Sequence, residues 1–329
     1  MSKIITQIAL GLWGIASGNY SAITPIEENV YAIVDDKDPV DGYRLLTLQL
    51  EGHKGKVVSA ELIEPEGMRQ RRAAGKDYVR DCEGACFFPG AATVFVSGEA
   101  NQDILEYDRQ GNPTGRRLNV PECMGRDRIA PNLGFEALTY NAVQHRFWTT
   151  TEGMLPADDV AGSPIRLRLL SFDDELQPAA SYVYQMDEPV KADKRGIGVH
   201  GVPSMLALDN GKMLVLEREA YSPKRKLGAF VNHKIYVVDL SQESPVPLST
   251  SMTEVSEEQV VRKKLLAEFK TRFNLFRRNL ANYEGLCLGP RLDDDRQTLL
   301  LISDSQQGMG NRLFHLKDYV GVIILDGEY

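Results

Sequence analysis

Three glutamates stand in matching surroundings: Asp81-Cys82-Glu83-Gly84-Ala85-Cys86-Phe87, Gly134-Phe135-Glu136-Ala137-Leu138-Thr139 and Asn282-Tyr283-Glu284-Gly285-Leu286-Cys287-Leu288. In each, an acid opens a short apolar run, where an ionised carboxylate is costly unless something pairs with it. Acids in equivalent places predict a repeat that points them at a common centre. Brought close, they raise one another's pKa unless a cation lies between them. An all-oxygen set suits a hard ion: Ca2+ takes about six to eight oxygens in flexible geometry, Mg2+ asks for a stricter octahedron, and Zn2+ favours His or Cys. The plainer alternative is that each acid accepts hydrogen bonds from backbone N–H groups at the start of its strand.

A search for self-similarity finds the elements that would position these acids. Runs rich in β-branched and aliphatic residues, separated by Gly, Asp, Pro and Lys, predict antiparallel meanders. The first unit has strands over 20–24, 30–34, 43–50 and 57–63, and the second over 84–88, 93–99, 104–107 and 116–120. The third has 137–140, 146–152, 165–172 and 181–186. The fourth shows 204–208, 212–217 and 234–239, and the fifth 285–288, 298–304 and 319–325. An orphan strand over 3–10 can supply the fourth strand of the last unit, closing a ring and covering a sheet edge. The predicted fold is all-β, one five-bladed β-propeller over residues 1–329. Each unit then spans roughly 66 residues, more than the about 40–50 of common blades, so a sixth blade within 240–280 is the rival. The stretch 254–279 shows helix-like periodicity with basic residues on the other face, which predicts a helical insertion before the fifth blade.

In a propeller the first strand of each blade lines the channel. The candidate metal ligands are therefore Ser21, Glu83, Glu136, Ser204 and Glu284. A second ring, at the ends of the second strands, holds Asp35 (with Asp36 beside it), Glu99, Glu152, Glu217 and Asp304. The second strand returns to the face where the first began, so both rings should meet at the channel mouth. These six acids are the candidate catalytic groups, as bases toward a metal-activated water; solvated strand-end acids are the alternative.

Loops reaching the same face are basic: Arg69, Arg71, Arg72, Lys76 and Arg80, then Arg126 and Arg128, then Lys191, Lys194 and Arg195. Arg72, Arg80, Arg128, Arg195 and Arg218 are the candidate substrate-binding residues for a small anionic or ester substrate, since Arg matches phosphate oxygens bidentately. Solvated loops that balance the acids are the alternative.

Composition bounds the rest. The 329 residues carry a formal net charge of -8, with 43% hydrophobic and 26% charged residues, which suits a globular chain and argues against nucleic acid or an anionic membrane as partner. No run is long and apolar enough to predict a membrane span. Cys82, Cys86, Cys123 and Cys287 show no paired spacing, and Cys86 and Cys287 read as core. There is no GxSxG elbow, GxxxxGK[ST] loop or HExxH, and the five histidines form no ligand spacing, with His200 alone on a mouth-side loop.

Asp81-Cys82-Glu83-Gly84-Ala85, Leu133-Gly134-Phe135-Glu136-Ala137-Leu138, Leu216-Glu217-Arg218-Glu219 and Tyr283-Glu284-Gly285-Leu286 resemble the phytase-like propeller family, "esterase-like activity of phytase". The order Ser, Glu, Glu, Ser, Glu on five first strands also resembles the calcium site of the five-bladed calcium-activated nucleotidases (apyrases). That likeness implies calcium on Ser21, Glu83, Glu136, Ser204 and Glu284, and Asp35-Asp36 resembles the acidic pair there. The rest of the apyrase pattern is not evident, so nucleotide hydrolysis is not implied. The family implies cleavage of ester or phosphoester bonds, and its members are often exported. A periplasmic or secreted protein is thus expected, although the amino terminus lacks the apolar core of a signal peptide. The expected function is calcium-dependent hydrolysis at the mouth; a binding propeller with structural calcium is the alternative.

Overall fold

The computed structural model describes residues 4–75, 80–189, 196–223, 227–274, 278–311 and 314–325. Its strands form five four-stranded antiparallel sheets, which are the blades of a five-bladed propeller. Blade one is β2 (Tyr20–Glu27), β3 (Val30–Asp35), β4 (Arg44–Glu51) and β5 (Lys56–Ile63), and β1 (Ile4–Ala9) precedes it. A short helix, α1 (Glu66–Ala73), leads to blade two: β6 (Cys82–Phe88), β7 (Thr93–Gly98), β8 (Asp103–Tyr107) and β9 (Pro113–Arg117). Blade three is β10 (Phe135–Asn141), β11 (Arg146–Thr151), β12 (Arg166–Phe172) and β13 (Pro178–Gln185). Blade four has longer strands, β14 (Gly196–Ala207), β15 (Lys212–Pro223), β16 (Ala229–Asp239) and β17 (Lys263–Phe273). The last blade begins with β18 (Asn282–Leu288) and β19 (Thr298–Asp304), and a small hairpin, β20 (Gly310–Asn311) and β21 (Phe314–His315), leads to β22 (Tyr319–Ile324).

The N-terminal strand closes the ring as the sequence predicts. Its order in the last sheet is β18-β19-β22-β1, with β1 antiparallel to β22 and Ile8 opposite Val320. Pairing the two ends leaves β22 with no free edge. A five-blade count sets the sixth-blade rival aside.

The stretch 254–279 is not a helical insertion. After one 3-10 turn at Glu257–Gln259 it becomes β17, the fourth strand that blade four lacked. Ala267 and Thr271 are buried and stand four apart, with Phe269 between them packing on the same core. Four is an even number and also one helical turn, so this spacing satisfies both periods. The open edge of β16 decides in favour of the strand.

Each interface between neighbouring blades has its own apolar core. Blades one and two meet through Val34, Tyr43, Val94 and Tyr107, blades two and three through Phe88, Phe95, Phe135 and Phe147, and blades five and one through Ile33, Leu46, Leu300 and Val322. Similar clusters join three to four and four to five. Middle strands are covered on both faces, which is why β7 and β19 are buried along their whole length and carry the central apolar runs 94–96 and 299–302. Cys82, Cys86 and Cys287 fill these cores, whereas Cys123 is exposed.

The innermost strands pack side by side around the axis, β2 on β6, β6 on β10, β10 on β14, β14 on β18 and β18 on β2. Gly84 sits at one of these contacts. A Cβ there would meet the Glu136 carbonyl, and would lie 2.8 Å from Leu138 Cβ and 2.8 Å from Ser97 Oγ. Gly84→Ala is expected to lower the denaturant midpoint by the equivalent of about 1–3 kcal/mol through overpacking. Gly11→Ala, with nothing within 4 Å of its Cβ, should leave the midpoint unchanged.

Candidate functional site

Each inner strand breaks register where it enters the channel. The shifts fall between Tyr20 and Ala22, Cys82 and Ala85, Phe135 and Ala137, Gly201 and Ser204, and Tyr283 and Gly285. Such bulges re-aim a side chain out of the pleat. Ser21, Glu83, Glu136 and Glu284 lie inside these bulges and Ser204 at the edge of its own. All five are buried.

The residue that closes each bulge on the second strand is Asp36, Glu99, Glu152, Arg218 or Asp304. The Asp36 N–H donates to Asn19 O at 3.0 Å, Glu99 N–H to Asp81 O at 2.8 Å and Glu152 N–H to Gly134 O at 2.8 Å, while Gly201 pairs with Arg218 and Asn282 with Asp304. The second ring is therefore one residue further along in two blades. Asp35 turns away, to Arg44 Nη1 at 3.4 Å and the Asn19 N–H at 3.4 Å. Glu217 points into the gap between blades three and four. There it accepts from the Tyr184 hydroxyl at 2.7 Å, Lys263 Nζ at 2.6 Å and the Asp187 N–H at 3.1 Å.

The mouth thus gathers Asp36, Glu83, Glu99, Glu136, Glu152, Glu284 and Asp304 around one buried arginine. Carboxylate oxygens of Glu83, Glu99 and Glu136 lie within 4.8 Å of one another, and all three residues are buried. Glu99 accepts the Gly134 N–H at 2.8 Å. Glu83 and Glu136, each 7% exposed, accept no hydrogen bond from any described residue. Asp36, Asp81 and Glu83 form a second close group, with Lys37 paired to Asp81 and to Asp36. Burial raises the pKa of Glu83 well above the carboxylate range, reinforced by Glu136 and Asp36. Burial does the same to Glu136, reinforced by Glu152. Asp36 rises to about 6 and Asp304 to about 7, mainly because both are buried. Backbone hydrogen bonding thus does not account for Glu83 and Glu136, and a hard cation fits the donors of the set.

Glu284 differs from its two counterparts. It is bound by Arg218 Nη1, and the Asn282 Nδ2 donates to it at 2.8 Å. Arg218 Nη2 binds Glu152. The serines also have backbone partners: Ser21 Oγ donates to Asn19 O at 3.3 Å, and Ser204 Oγ accepts the Leu286 N–H at 3.2 Å.

Of the four candidate substrate-binding arginines among the described residues, three are engaged within the protein. Arg80, 1% exposed, donates to Asp103 O at 2.7 Å and Tyr107 Oη at 3.1 Å inside blade two. Arg72 is spent on Asp38 at 2.7 Å and Glu64 at 2.6 Å. Arg218 lies within the acid ring. Arg128, in the 3-10 turn Arg126–Arg128, is exposed and makes no ion pair among the described residues. Arg195, Lys76, Lys191 and Lys194 lie outside the described residues. His200 is in β14, opposite Glu219.

Several functional groups escaped the sequence reading: Lys37, Asp81, Asn282 and the internal role of Arg218. One signal was present, because Glu217, Arg218 and Glu219 are consecutive in a strand and must alternate faces. No helix among the described residues is long and apolar enough to cross a membrane.

Among solved structures, the chain is similar to an endo-arabinase from Bacteroides thetaiotaomicron, at 11% identity over 98% of this chain and 97% of that one, with a TM-score of 0.48. A member of the DUF4221 family from Bacteroides vulgatus is similar at 11% identity over 98% and 97%, with a TM-score of 0.42. Resemblances of this size say nothing about activity. No curated protein matches the chain. A family model described as "Phytase-like: Esterase-like activity of phytase" matches residues 15–306. With most of its length covered by that match, the chain belongs to the phytase-like family of propellers.

Proposed function

We propose that the channel mouth binds one calcium ion on Glu83, Glu99 and Glu136, and that the protein hydrolyses ester or phosphoester bonds there. The observation that carries this reading is the convergence of three buried carboxylates, two of them without a hydrogen-bond partner among the described residues. Such a set is expensive without a cation. A bound divalent ion would supply a Lewis acid and a more acidic water at this point. Around it, Asp36 and Asp304 have values near neutrality and suit proton transfer at their carboxylate oxygens. The family supports ester chemistry, and the all-oxygen donor set supports calcium. Ser21, Ser204 and Glu284 are secondary in this reading, because each already has a partner. Among the described candidates Arg128, exposed and without an ion pair, is the cation left for an anionic substrate, since Arg72, Arg80 and Arg218 are engaged and Lys37 pairs with Asp36 and Asp81.

The depth of the triad favours a second reading, in which the ion is structural and the propeller binds a ligand without turnover. One assay separates the two. Hydrolysis of a panel of aryl phosphates and carboxyl esters should appear with calcium and vanish with chelator. Turnover that ignores calcium, or no turnover on any ester, would remove the catalytic reading. Glu83→Gln should abolish the rise in melting temperature that calcium gives the wild type, because an ion bound only to the folded state stabilises it. An undiminished rise in this variant would place the ion elsewhere.

The raised carboxyls also fix a pH dependence. Each binds its proton more tightly folded than unfolded, so its contribution to stability is complete at low pH and is lost as pH rises through the folded value. For Asp36 and Asp304 that window runs up to about 6 and about 7. The ion-free protein should therefore melt lower at about pH 8 than at about pH 5. Calcium needs the deprotonated ligands, so the melting-temperature gain from calcium should grow across the same range. A gain independent of pH would contradict the site.

A further inference from the structure

The acids at the mouth fall into two halves that differ in one respect. Glu83, Glu99 and Glu136 face one another with no basic side chain bonded to them among the described residues. Glu152 and Glu284, on the far side, close on the two ends of the Arg218 guanidinium. Asn282 fixes the arrangement, accepting from Arg218 Nη1 at 3.1 Å and donating to Glu284 at 2.8 Å. Asp304 is near enough to add to the field that keeps Arg218 charged. Burial opposes that charge, but Glu152, Glu284, Glu136 and Asp304 outweigh it. Arg218 is 5% exposed and Glu152 is 2% exposed. Gly201 makes the closure possible, because any Cβ there would overlap the Glu152 side chain, 2.8 Å from its Cδ.

Arg218 stands where the other four blades carry a mouth acid, so blade four contributes a cation where its neighbours contribute an anion. We infer that Arg218 is a built-in cation in place of a second metal ion, and that it limits the mouth to one divalent cation. The inference rests on the calcium reading of the open half. A tethered guanidinium cannot dissociate, so the Glu152–Glu284 half keeps one compensating positive charge at any calcium concentration. Remove its charge, and Glu152 and Glu284 are left as two buried carboxylates converging on the place of the guanidinium, with Asp304 adding to the same field. A buried pair that loses one partner leaves an uncompensated charge, which a calcium ion is suited to answer.

Equilibrium dialysis with calcium alone counts the ions without any assay of activity. The wild type should bind one ion, Arg218→Gln two, and Arg218→Lys one. Glu152→Gln with Glu284→Gln should still bind one ion, because Glu83, Glu99 and Glu136 are all retained. This double variant also decides the matter if Arg218→Gln fails to fold with or without calcium. One ion in both the wild type and a folded Arg218→Gln would overturn the inference and leave the open-half site standing. No ion in the wild type but one in Arg218→Gln would sink the open-half site and the one-ion limit, while upholding Arg218 as a cation in place of a metal ion. Loss of calcium from the double variant would place the ion in the Arg218 half and overturn it.

Discussion

Like charges held at the rim of a narrow apolar tube are the constraint to which the rest of this structure answers. Seven carboxylates meet where five strands begin, in a place that burial has made poor in water. Fixed cations, protons and metal ions are the means of lowering that energy. The protein uses the first at Arg218 and Lys37. The raised values of Asp36 and Asp304 show the pull toward the second. Glu83 and Glu136, with no such partner, are the part of the ring that fits the third.

The barrel of blades supplies the confinement. Five separate apolar interfaces hold the inner strands against one another, and a bulge in each strand turns one residue toward the axis. Packing of this kind is costly to deform, so the acids cannot relieve their repulsion by spreading apart. What varies between blades is only the side chain presented. Serine at two positions, with backbone partners of its own, thins the charge. Arginine at another reverses it.

Much of this was legible in the sequence. Blade number, closure by the N-terminal strand and the five inner-ring positions follow from period-two runs and their punctuation, which need no tertiary information. The outer ring was legible only to within one residue. Asp35 and Asp36 are adjacent, as are Glu217 and Arg218, and the choice between neighbours depends on how many residues each bulge absorbs. Blade four spends Val202 and Pro203 there, and nothing local announces it. The reading of 254–279 as helix failed for a related reason, since spacing by four satisfies both periods and only the unpaired edge of β16 decides between them. Arginines were misplaced because a side chain of that length can reach inward from a loop, as Arg80 does. Sequence marks a basic loop without saying which way its charges turn.

Closure of the last blade by both ends of the described chain has a temporal consequence. During synthesis blades one to four emerge before β18 and β19, so Arg218 first lies beside Glu152 without Glu284, and Asp36 without Asp304. The last two acids of the ring are therefore added in one late step. Glu284, Asp304 and the Arg218–Glu284 pair arrive together, in the same event that seats β1 against β22, whereas the Glu83–Glu99–Glu136 triad belongs to blades two and three. Seating β1 against β22 thus coincides with the moment at which the mouth acquires its full charge.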